Sequence, residues 1–213
     1  AEFCEQHRGY IFCHNEAVLY RWVEDYEPAL FRRIQKLVRA GNWHIMGGWY
    51  LQPDCNMPSG ESIVRQILLG RTYFREKFGV EPLTAVNLDP FGHSRGLVQI
   101  MAKSGYRYYL CCRPGQKELP LPSDEFIWVG YDGSEILANR ASAHYCSIGG
   151  KARERLEEWL ARNSEKDLVI HLWGIGNHGG GPSRKDLQDF ERMKAESTEY
   201  EIMHSTPDAY FAE

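Results

Sequence analysis

Three polar segments contain the residues that could do chemistry. The run Asp89-Pro90-Phe91-Gly92-His93-Ser94 follows an apolar stretch at 83–88, so Asp89 leaves a buried strand at its C-terminal end. A carboxylate there is costly unless something pairs with its charge. Pro90 removes a donor and helps end the strand, and Gly92 permits a sharp turn. Phe91 stands beside the carboxylate, an arrangement suited to a sugar face over a nucleophile. The plainer reading is an aspartate that caps an ordinary strand-to-loop turn. The second segment, Gly174-Ile175-Gly176-Asn177-His178-Gly179-Gly180-Gly181-Pro182-Ser183, sets His178 among glycines that leave room for a ligand. It follows an apolar strand end, so a ligand or catalytic role is expected beside the plainer reading of a structural or surface histidine, and the run has neither the Gly-Lys-Ser/Thr ending nor the Gly-x-Gly-x-x-Gly spacing of a phosphate loop. The third segment, 47–61, puts Trp49 and Tyr50 near Asp54, Asn56 and Glu61. Aromatic faces for stacking beside polar groups for hydroxyls are what a sugar pocket needs. Ser59 and Glu61 also read as the cap and first turn of a helix.

These segments need elements to position them. Strands are expected at 10–13, 43–46, 83–88, 106–111 and 168–173, the last being the most hydrophobic. Residues 16–40 read as helix, divided at Pro28, which lacks the N–H donor and clashes with the preceding turn. Ser59 starts a helix that presents Ile63, Ile67, Phe74 and Phe78 on one broad face and ends at Gly79. Further helices are expected at 97–103 and 151–162, and after the acidic capping box Ser183-x-x-Asp186. Asp132-Gly133 predicts a hairpin joining 126–129 to 135–138. Alternating strands and helices imply an α/β fold with a parallel sheet, whose functional residues gather at the C-terminal strand ends. The three polar segments fall at such ends.

Composition narrows the function classes. The 213 residues carry a formal charge of −4, with 43% hydrophobic and 25% charged residues. That balance gives no basic face for nucleic acid and no polybasic segment for an anionic membrane. No apolar run approaches the length of a membrane span. The six cysteines contain no Cys-x-x-Cys pair. They read as buried free thiols in a reducing cytoplasm.

Taken in order, the blocks Gly47-Gly48-Trp49 through Pro58-Ser59-Gly60-Glu61-Ser62, Asp89-Pro90-Phe91-Gly92-His93-Ser94 and Gly176-Asn177-His178-Gly179-Gly180-Gly181-Pro182 resemble glycoside hydrolase family 38, the α-mannosidases and their bacterial relatives. The third block is more like the bacterial-type members, which suggests a bacterial cytoplasmic protein. The resemblance spans nearly the whole chain. It implies a partial seven-stranded parallel β/α barrel of glycoside hydrolase/deacetylase type, with 1–213 as a single domain. It also implies a retaining mechanism, one zinc ion, and a mannose-containing oligosaccharide or small mannoside as substrate. In the family, the aspartate matching Asp89 attacks the anomeric carbon and binds zinc, and the histidine matching His178 is a second zinc ligand. Phe91 would lie against the sugar, Arg113 matches an arginine near the nucleophile, and Trp49 and Asp54 are the further substrate-contact candidates. Retention needs a second carboxyl about 5–5.5 Å from the nucleophile. The metal would shape the sugar ring rather than activate water.

Family members also carry a His-x-Asp pair near the start of the barrel. This chain has none, and His14-Asn15-Glu16 is its nearest imitation. The expectation is that the first strand and its ligands precede Ala1, that the family's helical and β-sandwich domains lie beyond Glu213, and that this chain alone binds metal weakly and is inactive. The acid/base carboxyl is left open among Asp124, Glu125, Asp132, Glu135 and the acidic residues of 151–162. Two other readings stand beside the glycosidase. One is a metal-dependent deacetylase or amidohydrolase in which Asp89 and His178 hold a water-activating metal. The other is a carbohydrate-binding remnant.

Overall fold

The computed structural model describes residues 1–176 and 180–213. The chain runs α1 (Glu2–Gln6), β1 (Phe12–His14), α2 (Ala17–Tyr26), α3 (Pro28–Arg39), β2 (Trp43–Ile45), α4 (Gly60–Phe78), β3 (Thr84–Asn87) and α5 (Gly96–Lys103). It continues through β4 (Tyr108–Cys111), β5 (Glu125–Val129), β6 (Glu135–Arg140), α6 (Ala152–Arg162), α7 (Arg184–Glu196) and α8 (Pro207–Ala212). Local chemistry sets most of these boundaries. Pro28 opens α3, as expected of a residue whose missing N–H is no loss in a first turn. The Ser59 hydroxyl accepts from the Ser62 amide to cap α4, and Gly79, at φ 71°, ends it in the left-handed region. Ser183 caps α7 by accepting from the Asp186 amide.

Contacts divide the chain into two units, Ala1–Arg140 with Ser205–Glu213, and Ala141–His204. In the first, β1 and β2 form a parallel pair, and a second sheet has the order β3-β4-β6-β5. Strands β3, β4 and β6 are mutually parallel, with Asn87 level with Cys111 and Cys111 level with Arg140. The hairpin partner β5 is antiparallel to β6. Ala85, Tyr109, Cys111, Ile136 and Ala138 share one face of this sheet, and they form a core with Ile63 and Ile67 of α4 and Leu97, Val98 and Met101 of α5. The opposite face receives α8. Thr84 donates its hydroxyl to Asp208, the Tyr210 hydroxyl meets the Asn139 amide, and Phe211 stacks on Tyr108 at 4.8 Å. Cover on both faces explains why these parallel strands are buried along most of their length rather than on alternate residues.

The described residues form these short sheets and no continuous seven-stranded parallel barrel. Two features account for the difference. Gly47 and Gly48 both take positive φ immediately after β2, so the ladder toward β3 reduces to one bond, Gly47 N–H to Thr84 O at 2.9 Å. A tight turn at Asp132-Gly133 can only join antiparallel neighbours, which turns β5 against the parallel set. The strand expected at 168–173 is also absent, and a single parallel bridge joins Ser147 to Ile175. Apolar β-branched residues favour a strand only where a neighbour completes the ladder. In the second unit, α6 and α7 pack through Ala152, Leu156, Phe190 and Met193. The fully buried Asp186 accepts the Gly150 and Ala152 amides, each at 3.1 Å, so one carboxylate caps the start of α6 from within α7.

The 47–54 segment lies directly on α4. A Cβ added at Gly70 would stand 2.2 Å from Gly48 O and 2.4 Å from Trp49 C. The Tyr50 amide donates to Gln66 O at 2.9 Å, and the Leu51 amide donates to Gln66 Oε1 at 2.8 Å. Helix propensity alone favours alanine over a mid-helix glycine by about 1 kcal/mol. Gly70→Ala is nevertheless expected to destabilise by about 1–3 kcal/mol through overpacking. Urea denaturation checks this. Stability at or above the parent's would show that the segment can withdraw freely.

Candidate active site at the strand ends

Parallel pairing builds the site. Because Asn87 is level with Cys111, the residues two places further on, Asp89 and Arg113, emerge side by side beyond the ends of β3 and β4. Arg113 Nε lies 2.8 Å from Asp89 Oδ1. Among the described residues neither atom has an aligned hydrogen-bond partner, so the contact is a close ion pair rather than a directed hydrogen bond. The Arg113 guanidinium also covers the Phe91 ring, with Cζ 5.0 Å from its centroid. Phe91 is 78% exposed. An apolar ring open to solvent thus lies beside a carboxylate paired with an arginine.

Beneath this surface, polar contacts connect the neighbouring loops to β3 and β4. His93 Nε2 lies 2.6 Å from Arg113 O, and His93 Nδ1 lies 2.7 Å from the Tyr109 hydroxyl. A carbonyl can only accept, so Nε2 carries the proton and Nδ1 accepts from Tyr109. Burial lowers the His93 pKa, against the opposing pull of the Arg113 carbonyl, which favours this neutral form. The Asn87 amide donates to Cys55 Sγ at 2.8 Å, and Cys55 forms a parallel bridge with His93. Gln52 Oε1 accepts from the Leu88 amide at 3.3 Å. Neither Cys55 nor Cys111 is poised as a nucleophile, since burial pushes Cys55 up to about 11 and Cys111 up to about 12.

The other sequence candidates fall in different places. Trp49, expected against substrate, is fully buried and donates its indole N–H to Val86 O at 2.9 Å. It anchors the 47–54 segment from within and offers no face to solvent. Asp54 is exposed and accepts the Asn56 and Met57 amides at 2.8 and 2.9 Å, which lower its pKa. It stands on an open pocket lined also by Leu51, Gln52, Pro58 and Ser62. His178 lies outside the described residues. Among the described residues, no group of three or more His, Cys, Asp or Glu side chains could hold a metal ion. All six cysteines are free thiols, with Cys4, Cys55, Cys111 and Cys112 buried as expected and Cys13 and Cys146 only half-buried, and no helix among the described residues is long and apolar enough to cross a membrane.

Sequence reasoning missed the residues that organise the site from behind. Gln52 and Asn87 sit inside or beside the motifs, and their polarity within apolar surroundings was the available signal. Arg140 ends β6 and is 2% exposed. Its guanidinium donates to Leu119 O at 2.6 Å and to Gln116 Oε1. Nothing local marks it as different from a surface arginine.

Parallel strands ending in a paired acid and arginine beside an exposed ring place this chain among α/β proteins that carry their functional residues on strand ends. The chain belongs to the glycosyl hydrolases family 38, whose N-terminal domain it matches over residues 1–213. It is 31% identical over 215 residues to human alpha-mannosidase 2C1, covering 99% of this chain and 21% of that protein. It is 29% identical over 206 residues to alpha-mannosidase G of Dictyostelium discoideum, covering 94% of this chain and 19% of that protein. The chain therefore spans about a fifth of the length of these curated relatives. An alpha-mannosidase from Enterococcus faecalis V583 shares the fold at TM-score 0.82 and 22% identity, over 99% of this chain and 25% of that one.

Proposed function

We propose that this chain forms most of the catalytic barrel of a retaining α-mannosidase, with Asp89 as its nucleophile. The observation that carries the reading is the Asp89–Arg113 ion pair at 2.8 Å beside the exposed Phe91. In the proposed reaction Phe91 receives the apolar face of the sugar, and Arg113 holds one carboxylate oxygen so that the other faces the anomeric carbon. That oxygen attacks C1 as the bond from C1 to the leaving oxygen breaks, and a second carboxyl gives the leaving oxygen its proton. Water then attacks C1 of the mannosyl ester, passes a proton to the same carboxyl, and releases Asp89, so two inversions give net retention. Asp54, exposed beside the open pocket, is the candidate for a hydroxyl contact.

Zinc enters this reading through the family resemblance, with Asp89 and His178 as its ligands. The described residues alone do not make a metal site, and no step above passes through one. The test is a mechanism-based fluoro-mannosyl trap applied to the protein that carries this domain, followed by peptide mass mapping. A mannosyl adduct on the peptide containing Asp89 is expected. An adduct on another carboxylate would overturn the assignment.

A further inference from the structure

The Arg113 side chain has to reach Asp89 from a segment with no regular structure, 113–121. That segment is held on two sides by residues that touch neither Asp89 nor the exposed face of Phe91. On one side, the protonated Nε2 of His93 meets the Arg113 carbonyl at 2.6 Å while its other nitrogen is held by Tyr109 at 2.7 Å, so the imidazole is fixed at both ends. Edge-on rings of Tyr109 and Trp128, at 5.5 and 6.2 Å, close around it. On the other side, Arg140 reaches from the end of β6 to Leu119 O at 2.6 Å, Pro114 O at 3.4 Å and Gln116 Oε1. Its carboxylate neighbour, Asp124, lies at 3.6 Å, so a buried guanidinium is given over largely to backbone carbonyls. Gln116 in turn ties the segment to itself, donating to Leu121 O at 2.9 Å and accepting from the Leu121 amide at 3.3 Å.

We infer that His93 and Arg140 are positioning residues for Arg113: they hold the 113–121 backbone from both sides so that the guanidinium is presented to Asp89. His93 acts through its single neutral tautomer and Arg140 through its fork of donors. The geometric claim stands independently of the reading of Asp89 as a nucleophile, and only its catalytic consequence rests on that reading.

The experiment follows Arg113 Nε–H by NMR hydrogen exchange in the full chain, with thermal unfolding as the control for fold. His93→Phe keeps the ring packing and removes both hydrogen bonds. Arg113 Nε is shielded by burial rather than by a directed hydrogen bond, so losing the Arg113 carbonyl bond, which frees the segment to expose it, is expected to accelerate Arg113 Nε–H exchange by roughly fivefold to tenfold. His93→Gln restores a donor toward that carbonyl and is expected to keep the parent rate. Gln116→Ala, which removes a partner of Arg140 without touching the core, is expected to accelerate exchange likewise, and it serves if His93→Phe fails to fold. In the protein that carries this domain, kcat on an aryl α-mannoside should fall about 10-fold to 100-fold in His93→Phe, with KM little changed, as misplacement by about 1 Å would produce. An Arg113 exchange rate unchanged in the folded His93→Phe and Gln116→Ala variants, or lost equally in His93→Gln, would sink the inference and leave the nucleophile assignment standing. If instead the trap fails to label Asp89 while exchange behaves as expected, the positioning stands and the glycosidase reading falls.

Discussion

In the protein that carries this domain, replacing Asp89, the proposed nucleophile, with asparagine is expected to lower kcat on an aryl α-mannoside by on the order of 10⁴-fold or more, the scale seen when a covalent nucleophile is removed. The amide has the shape of the carboxylate but cannot form the mannosyl ester. The variant should fold almost as well as the parent. The Asp89–Arg113 pair is about half exposed on the aspartate side, and pairs of that kind contribute roughly 0–1 kcal/mol to stability. A large fall in turnover with little change in the denaturation midpoint is therefore the expected signature. Asp89→Ala makes the test sharper, because it leaves a space in which azide can attack C1 of an activated mannoside and expel the aglycone. One displacement in place of two should give the β-mannosyl azide. Turnover within tenfold of the parent, or an α-configured azide product, would remove Asp89 from the nucleophile's role.

The second large effect concerns acid stability. His14 ends β1 among the rings of Tyr20, Phe12 and Trp43, at 5.3, 5.7 and 6.3 Å. Its Nδ1 is buried with no well-aligned hydrogen-bond partner among the described residues. Burial holds its pKa down at about 4, against a smaller opposing effect of the Asn15 backbone. An unfolded histidine titrates near 6.5, so between these values the unfolded chain binds a proton that the folded chain refuses. The stabilising contribution of neutral His14 is complete above about pH 6.5 and is lost as pH falls toward 4. It amounts to about 3 kcal/mol over that window, at 1.36 kcal/mol per unit. His14→Phe preserves an aromatic ring and removes the titration. Its urea midpoint should therefore fall less steeply than the parent's across the same window. Identical acid limbs in the two proteins would refute the assignment.

The parts of this fold legible in the sequence are those governed by neighbours along the chain. Pro28 divides α2 from α3, Ser59 and Gly79 bound α4, and Asp132-Gly133 turns β5 into β6, because each acts within a few residues of itself. The placement of Asp89 beyond a buried strand was legible for the same reason. Trp49 was read as a platform because an aromatic beside acids looks the same in sequence whether it faces solvent or Val86 O. The run 168–173 has strand composition, yet a strand also needs a partner at the right register, which composition does not specify. Arg140 marks the far limit: its role depends on β6 lying next to β4, a pairing across intervening residues that leaves no local trace. Arg113 was reached only through family resemblance, and the register of β3 against β4 is its physical reason.

The route of the chain through its two units has a consequence for the order of assembly. The first unit takes residues from both ends of the chain, and 141–204 is an excursion between them. The face of the sheet that carries Thr84, Tyr108 and Asn139 is covered by α8, whose Asp208, Tyr210 and Phe211 are synthesised after that excursion. During synthesis, that face stays without its cover until the whole of the second unit has left the ribosome. The sheet is made before the second unit and closed only after it.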